Sequence, residues 1–125
     1  MRRISITVSI AAISALTMTS ITPALAHTAL VSSTPRNGAI LQESPKNFVL
    51  RFSETLAQLD RKQINTMKVM GPSKVRVKLN SMKIMKSSLS TTPLQPLTSG
   101  RYEISYRVVA EDGHTLYGVI KFSIQ

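Results

Sequence analysis

Alternation of apolar and polar residues near the C-terminus constrains the fold of this chain most strongly. Apolar side chains occupy every second position from residue 102 to residue 108, and Glu103, Ser105 and Arg107 hold the positions between them. Successive side chains of an extended strand point to opposite faces, so this period of two predicts a half-buried β-strand. A second strand is predicted over Thr115–Ile124, where Leu116, Ile120, Phe122 and Ile124 share one face.

Upstream of these strands the chain consists of short apolar segments separated by Pro, Gly, Asn and Ser. Strands are predicted over residues 29–33, 47–53, 64–70, 75–79, 82–85 and 89–91. Gly71-Pro72-Ser73 is expected to be a hairpin connection between the third and fourth of them. Many short strands with frequent turns are typical of an all-β sandwich or barrel. The chain shows no internal repeat and no second domain.

The N-terminal segment has the pattern of a secretory signal peptide. Arg2 and Arg3 precede a short apolar run over residues 4–18, and an Ala-x-Ala site ends at Ala26. A membrane anchor would need about 20 predominantly apolar residues, which this run lacks. We therefore expect a signal peptide over residues 1–26 and one mature domain over residues 27–125. That domain would be periplasmic or extracellular, begin at His27 and keep no stable membrane anchor.

Composition narrows the possible functions. The chain has no cysteine, which excludes thiol catalysis and thiolate metal sites. Removing Arg2 and Arg3 leaves 14 basic and 6 acidic residues, a net charge of +8, and no acidic residue lies between Asp60 and Glu103. The basic stretch could meet anionic lipid or an acidic partner, or it could keep strand edges soluble. Nucleic acid is a poor partner for an exported chain with few aromatic residues.

The two histidines of the sequence offer a metal site. His27, at a new N-terminus, would present its amine and its imidazole to the same ion. Asp112 and His114 flank Gly113, which lets the backbone turn sharply enough to bring the two side chains together. Copper(II) prefers tetragonal nitrogen and oxygen ligands, and zinc is the weaker competitor. Each part alone has a simpler explanation, because Asp-Gly-His is a common turn and an N-terminal histidine can be accidental.

These residues lie within a longer pattern that resembles the CopC family of exported copper-binding proteins, including PcoC-type proteins. The match covers nearly all of the mature chain. It is carried by His27, Leu30-Val31-Ser32-Ser33-Thr34-Pro35 with Asn37-Gly38, Leu50-Arg51-Phe52-Ser53-Glu54, Pro96-Leu97-Thr98-Ser99-Gly100-Arg101-Tyr102, and Asp112-Gly113-His114 before Gly118 and Phe122.

The resemblance implies a Greek-key β-sandwich of about seven strands, Ig-like or cupredoxin-like. It also implies one copper(II) ion held by the amine and imidazole of His27 together with Asp112 and His114. Glu54 stands at a family position near that site and is expected to be an outer or occasional ligand. Proteins of this family act as copper carriers or buffers in copper resistance or uptake, often beside a CopD-type membrane protein that would receive the copper.

Some family members add a copper(I) site in a methionine-rich loop with a histidine. Met67 and Met70 match the start of that segment and are the candidate copper(I) ligands, but Gly71-Pro72-Ser73-Lys74 follows where more methionines and the histidine would be expected. Met82 and Met85 repeat the two-residue gap. Methionine often fills gaps in a core, and core packing is the favoured interpretation for both.

Two other functions are compatible with the sequence. The first is a structural or interaction sandwich that uses its basic face, with Asp112 and His114 as ordinary turn residues. The second is a copper oxidative enzyme, because lytic polysaccharide monooxygenases also bind copper through a histidine and its amine. About 99 mature residues leave little room for a broad substrate surface, and no nucleophile-elbow or phosphate-loop motif is present. A binding protein that is not an enzyme is therefore predicted.

Overall fold

A computed structural model describes residues 28–125 of the chain. The predicted signal peptide and His27 lie outside the described residues. The described chain forms eight strands: β1 (Leu30–Thr34), β2 (Ala39–Leu41), β3 (Phe48–Phe52), β4 (Thr66–Met70), β5 (Lys83–Met85), β6 (Ser88–Thr91), β7 (Gly100–Val109) and β8 (Thr115–Ile124). A single 3-10 turn lies over Pro72–Lys74. No helix in residues 28–125 has the length and apolarity needed to cross a membrane.

The strands form two four-stranded sheets. One has the order β1-β3-β6-β5 and the other the order β2-β8-β7-β4. Neighbouring strands are antiparallel except β2 and β8, which pair in parallel. Strands β5 and β6 form a hairpin, as do β7 and β8, while the other connections pass from one sheet to the other. The predicted all-β sandwich is confirmed, with eight strands where about seven were expected.

The hydrophobic core lies between the two sheets, as the alternation of the last strands predicts. Tyr102, Ile104, Tyr106 and Val108 of β7 are all buried. The ring of Tyr102 stacks on Phe122 of β8 with 5.2 Å between centroids. The other sheet contributes Phe48, Leu50 and Phe52 of β3 and Leu89 of β6. Burial of these apolar surfaces is the main driving force for closing the sandwich.

Gly118 marks a close approach within the longer hairpin. It lies opposite Tyr106 in the pairing of β7 with β8. A Cβ atom on Gly118 would collide with the hydroxyl oxygen and the ring of Tyr106. The same ring meets Phe52 of the opposite sheet edge-on, with 5.5 Å between centroids. Glycine at position 118 therefore leaves the space beside β8 that the Tyr106 ring occupies.

The segment after β4 differs from its prediction. Residues 75–79 were expected to form a strand, but their ladder is limited to a bridge between Met70 and Arg76 and another between Leu79 and Pro93. The chain does turn back at residues 71–75, since the Gly71 amide donates to the Val75 carbonyl at 2.8 Å. Its far end then pairs with the connection between β6 and β7 instead of with β4, which prevents a regular ladder.

Candidate metal centre

The loop between β7 and β8 carries the Asp-Gly-His sequence. The Ala110 amide donates to the His114 carbonyl at 2.9 Å, and the Gly113 amide donates to the Ala110 carbonyl at 2.9 Å. Gly113 has φ +91°, in the left-handed region that glycine adopts at little cost. The result is a tight exposed turn that holds Asp112 and His114 at one end of the sandwich.

Within this turn the two predicted ligands contact each other directly. One carboxylate oxygen of Asp112, Oδ2, lies 2.8 Å from His114 Nδ1. The other, Oδ1, accepts the backbone amide of His114 at 2.9 Å. The side chains remain open to solvent, with exposed fractions of 68% for His114 and 47% for Asp112. The sequence prediction that Gly113 allows these two side chains to meet is consistent with this geometry.

The contact also fixes which ring nitrogen of His114 is available to a metal. The backbone and side-chain hydrogen bonds from His114 hold the pKa of Asp112 below its usual value. Asp112 is therefore ionised at neutral pH and can only accept hydrogen bonds. In the neutral imidazole, Nδ1 then carries the proton and Nε2 keeps its lone pair. A carboxylate that orients a histidine in this way is a common partner of metal-binding imidazoles.

A second segment, residues 53–57, connects this loop to the start of β1. The Glu111 amide donates to the Thr55 carbonyl at 3.0 Å, and Leu56 forms a bridge with Ala110. Two residues earlier, the Ser53 amide donates to the Ala29 carbonyl at 2.8 Å, and the Ala29 amide donates to Ser53 Oγ at 2.9 Å. The beginning of the described chain and the Asp-Gly-His loop therefore lie at the same end of the sandwich.

Thr28, the first described residue, is also buried, with 7% of its surface exposed. The chain is thus packed against the sandwich as far as its first described residue.

Asn65 is a site-supporting residue that the sequence analysis missed. It is fully buried. Its side-chain amide donates to the Ala57 carbonyl at 2.7 Å, and its oxygen accepts the Val109 amide at 2.8 Å. The side chain thereby fastens the 53–57 segment to the end of β7, just before the Asp-Gly-His loop. Asn65 falls within the strand predicted over residues 64–70, and no local pattern in the sequence indicates that its side chain supports the loop.

Glu54 lies in the same 53–57 segment and is half-buried. Within residues 28–125, however, no three histidine or acidic side chains are placed close enough together to hold a metal ion. Asp112 and His114 are therefore brought together, but Glu54 does not join them in such a group. A metal site at this loop would need at least one more ligand besides Asp112 and His114.

The four methionines considered as sulfur ligands or core residues have different surroundings. Met67 is buried in the core and Met70 is half-buried at the end of β4. Met70 pairs with Glu103, seven residues before Ala110 along β7, which places it about 20 Å from the Asp-Gly-His loop. Met67 and Met70 are three residues apart in β4, so their side chains point to opposite faces of the sheet. A copper(I) site at these two residues stays a prediction.

Met82 and Met85 also differ from each other. Met82 packs against the core, as expected for a gap-filling residue. Core packing is the wrong interpretation for Met85, which is 75% exposed. Its strand, β5, is short and lies at the edge of a sheet, where Ile84 turns inward and the residues beside it turn outward.

Comparisons with known proteins agree with the fold. A copper resistance protein C from Xanthomonas campestris pv. juglandis is 36% identical over 107 residues, covering 82% of this chain and 83% of the relative. The structure of PcoC, a methionine-rich copper resistance protein from Escherichia coli, is similar with a TM-score of 0.68 and 25% identity, covering 80% of this chain and 100% of that one.

CopC from Methylosinus trichosporium OB3b also has a similar structure, with a TM-score of 0.67 and 22% identity, covering 79% of this chain and 94% of that chain. None of these names describes an enzymatic activity, in agreement with the sequence analysis. The model of the CopC domain family matches residues 30–125, which is nearly the whole described chain. This protein therefore belongs to the CopC domain family.

Proposed function

We propose that this protein is an exported copper-resistance protein that carries or buffers one copper(II) ion and is not an enzyme. Its copper site would consist of the N-terminal amine and imidazole of His27 with Asp112 and His114, and it would form only after cleavage behind Ala26. Glu54 is retained as an outer or occasional ligand. The family membership and the copper-resistance names of its relatives support this assignment.

The observation that carries the proposal is that the Asp-Gly-His loop and the start of the described chain lie at the same end of the sandwich, each hydrogen-bonded to the 53–57 segment. His114 offers Nε2 at the exposed end of the loop, and Ala29 is hydrogen-bonded to Ser53 beside the segment that contacts Glu111. Two residues span at most about 7 Å, which supports His27 as a further ligand at this end of the sandwich. Nitrogen donors with one carboxylate oxygen form a set that copper(II) prefers.

Protonation opposes this binding. An imidazole and an α-amino group have reference pKa values of about 6.5 and about 8, and neither binds copper while it carries the extra proton. We therefore expect copper affinity to fall as the solution is acidified through this range.

The decisive test compares two chains that differ only at the N-terminus. One begins at His27. The other begins at Thr22, which keeps the imidazole of His27 but moves the terminal amine away from it. Electron paramagnetic resonance of the chain that begins at His27, loaded with one equivalent of copper(II), should show couplings from an amine and two imidazole nitrogens.

The chain that begins at Thr22 should lose the amine coupling and bind copper(II) more weakly in competition with a chelator of known affinity. Equal spectra and equal affinities for the two chains would refute the N-terminal chelate. Mapping of the N-terminus of the exported protein provides the matching check in cells, because cleavage elsewhere would remove the amine from His27.

Delivery of the copper to a CopD-type membrane protein is the second part of the proposal. The open position of His114 supports it, since a partner's ligands can approach an ion held there from solvent. Radiolabelled copper bound to the protein should accumulate faster in membrane vesicles that contain the CopD-type protein than in vesicles without it. Equal accumulation in the two kinds of vesicle would argue against delivery. Equal accumulation from free copper and from the loaded protein, in vesicles that contain the CopD-type protein, would argue against it too.

A further inference from the structure

Two adjoining clefts lie at the end of the sandwich opposite the Asp-Gly-His loop. The first has a volume of about 540 Å³ and runs between the turn after β4 and residues 94–98. The second, of about 440 Å³, lies between the same turn and the strands β2, β7 and β8. Gly71 and Tyr102 line both. Neither cleft includes a residue of the proposed copper site.

The walls of the first cleft are firmly held. The hydroxyl of Tyr102 donates to the Thr98 carbonyl at 2.7 Å, and the Leu97 amide donates to Ser44 Oγ at 2.8 Å. Gly71 lies so close to the Tyr102 ring that an added Cβ would be 3.0 Å from Cε1. The cleft is therefore a formed concave surface with an aromatic wall.

Apolar side chains stand exposed at the rim of this cleft. Val75 is 64% exposed and Leu94 is 54% exposed, and both line the opening. Exposed apolar residues grouped around a concavity are more informative than scattered ones, because they leave apolar surface that a partner can cover.

The same clefts are strongly cationic. Arg76 and Lys78 line the first, and Lys74, Arg101 and Lys121 line the second. Among the residues that line the two clefts, Glu103 is the single acidic one. No lysine or arginine within residues 28–125 lies within 4 Å of an acidic side chain. Glu103 stands opposite Lys121 in the pairing of β7 with β8, which leaves an excess of positive charge along the two clefts.

Spacing along the chain further defines the partner. Arg76 and Lys78 flank the half-buried Val77, which packs against the core, and both are exposed on its outer side. An extended segment with carboxylates two residues apart presents them on one side at a separation of about 6–7 Å, which suits this pair. The intervening apolar side chains point to the other face of such a segment. The segment would therefore lie on its edge in the cleft, with its carboxylates towards Arg76 and Lys78 and its apolar side chains towards Val75 and Leu94.

We propose that these clefts dock an extended acidic protein segment that alternates carboxylates with apolar side chains. A bilayer surface is the competing partner for basic and apolar residues. The concave shape favours a protein segment, since a flat membrane contacts protruding residues more readily than a recessed wall. Docking there leaves the loop of Asp112 and His114, about 20 Å away along β7, open to solvent. The inference does not depend on the copper site.

The test uses a short fluorescein-labelled peptide in which glutamate alternates with leucine, and fluorescence anisotropy measures its binding to the mature protein. The double variant Arg76→Glu with Lys78→Glu should weaken binding by about tenfold or more, because it places like charges opposite the peptide. A peptide with glycine in place of leucine should also bind more weakly.

The matched control is the double variant Arg51→Glu with Lys83→Glu. It makes the same change in net charge on the exposed face of the other sheet, where Arg51 is opposite Ser88 and Lys83 is opposite Ser90. Charges beyond about 8 Å are largely screened at physiological salt, so binding should change by less than about twofold. All four side chains are exposed, and thermal unfolding of both variants verifies that they are folded.

Three results would overturn the proposal. The first is a lack of peptide binding, and the second is equal weakening by the two double variants, which would indicate net charge alone. The third comes from sedimentation with vesicles that contain phosphatidylglycerol. If the Arg76 and Lys78 variant loses vesicle binding but keeps peptide binding, the clefts serve a lipid surface instead.

Discussion

At the level of single residues, His114 and Asp112 have different roles in the exposed loop. His114 keeps Nε2 free, whereas both oxygens of Asp112 are engaged by the backbone and ring of His114. We expect Asp112→Asn to lower copper(II) affinity by about 10–100-fold, because it removes both the proposed carboxylate ligand and the group that orients the His114 ring. His114→Ala should exceed that loss, because it removes an imidazole nitrogen, which binds copper more favourably than a carboxylate oxygen does. Competition with a chromophoric chelator measures both.

Glu111→Gln is the matched control for Asp112→Asn, since it removes the same charge from the same loop. Glu111 is exposed, and the backbone amide, not the side chain, makes its contact with Thr55. The copper(II) affinity of the Glu111→Gln variant should stay close to that of the unmodified protein. Equal losses from Glu111→Gln and Asp112→Asn would show that loop charge, and not the Asp112 carboxylate, controls binding.

Asn65 permits a test of how the loop is supported. Asn65→Ala leaves the Val109 amide and the Ala57 carbonyl without their partner in a buried place, which typically costs about 1–3 kcal/mol per unsatisfied group. The free energy of unfolding from urea titration should fall by that order. Asn80→Ala removes an exposed side-chain bond to Thr92 and should change stability by less than about 0.5 kcal/mol. Similar losses for both would contradict the special role of Asn65.

Burial of Tyr106 raises the pKa of its hydroxyl above the usual value. The unfolded chain therefore releases this proton at a lower pH than the folded chain does. The stabilisation is fully present below the unfolded pKa of about 10 and is lost as pH rises through the folded pKa. The stability difference between the unmodified protein and Tyr106→Phe should stay constant at neutral pH and shrink above about pH 10. A constant difference across that range would contradict the assignment.

The composition of the candidate site was predictable from the sequence only in part. The chain spacing of Asp112, Gly113 and His114 predicts their contact because a glycine turn acts locally. Asn65 was not predictable, since its partners are 8 and 44 residues away and depend on how β4 packs beside β7. The role of Met85 was also mispredicted, because exposure at a sheet edge depends on strand order and not on residue type.

At the level of elements, the hairpin of β7 and β8 contains two glycines that are needed for different reasons. Gly113 has a positive φ, yet an added Cβ would meet nothing within 4 Å. Gly118→Ala would instead drive Cβ into Tyr106, and overpacking of this kind typically costs about 1–3 kcal/mol. We expect Gly118→Ala to destabilise near the upper end of that range, because the hydroxyl and two ring carbons of Tyr106 stand in the way. Gly113→Ala should cost about 1–2 kcal/mol, the penalty of a left-handed backbone for a residue with a Cβ. Thermal unfolding ranks them, and the reverse order would contradict the explanation.

Strand prediction succeeded where the side-chain pattern alone defines the element. The long alternation in β7 and β8 is confirmed because alternate residues of each strand turn towards the core and are buried from Tyr102 to Val108 in β7 and from Ile120 to Ile124 in β8. Strand β2 was missed because its three residues are too few to show a period, and its parallel pairing with β8 joins residues more than 80 positions apart. Residues 75–79 show the opposite error, since an alternating sequence there does not acquire a full partner strand.

At the level of the whole molecule, copper binding and folding should be linked. The proposed ligands, His27 with Asp112 and His114, are far apart in the sequence, so a site that uses all of them would form only in the folded state. A ligand that binds the folded state alone stabilises it by about 2.7 kcal/mol at a free concentration 100 times its Kd. The melting temperature of the chain that begins at His27 should therefore rise with copper(II) and rise less with zinc. The His114→Ala variant and the chain that begins at Thr22 should both show a smaller rise at the same copper concentration. An equal rise in all three would mean that copper stabilises the protein at some other place, and the link between N-terminal processing and copper binding would be lost.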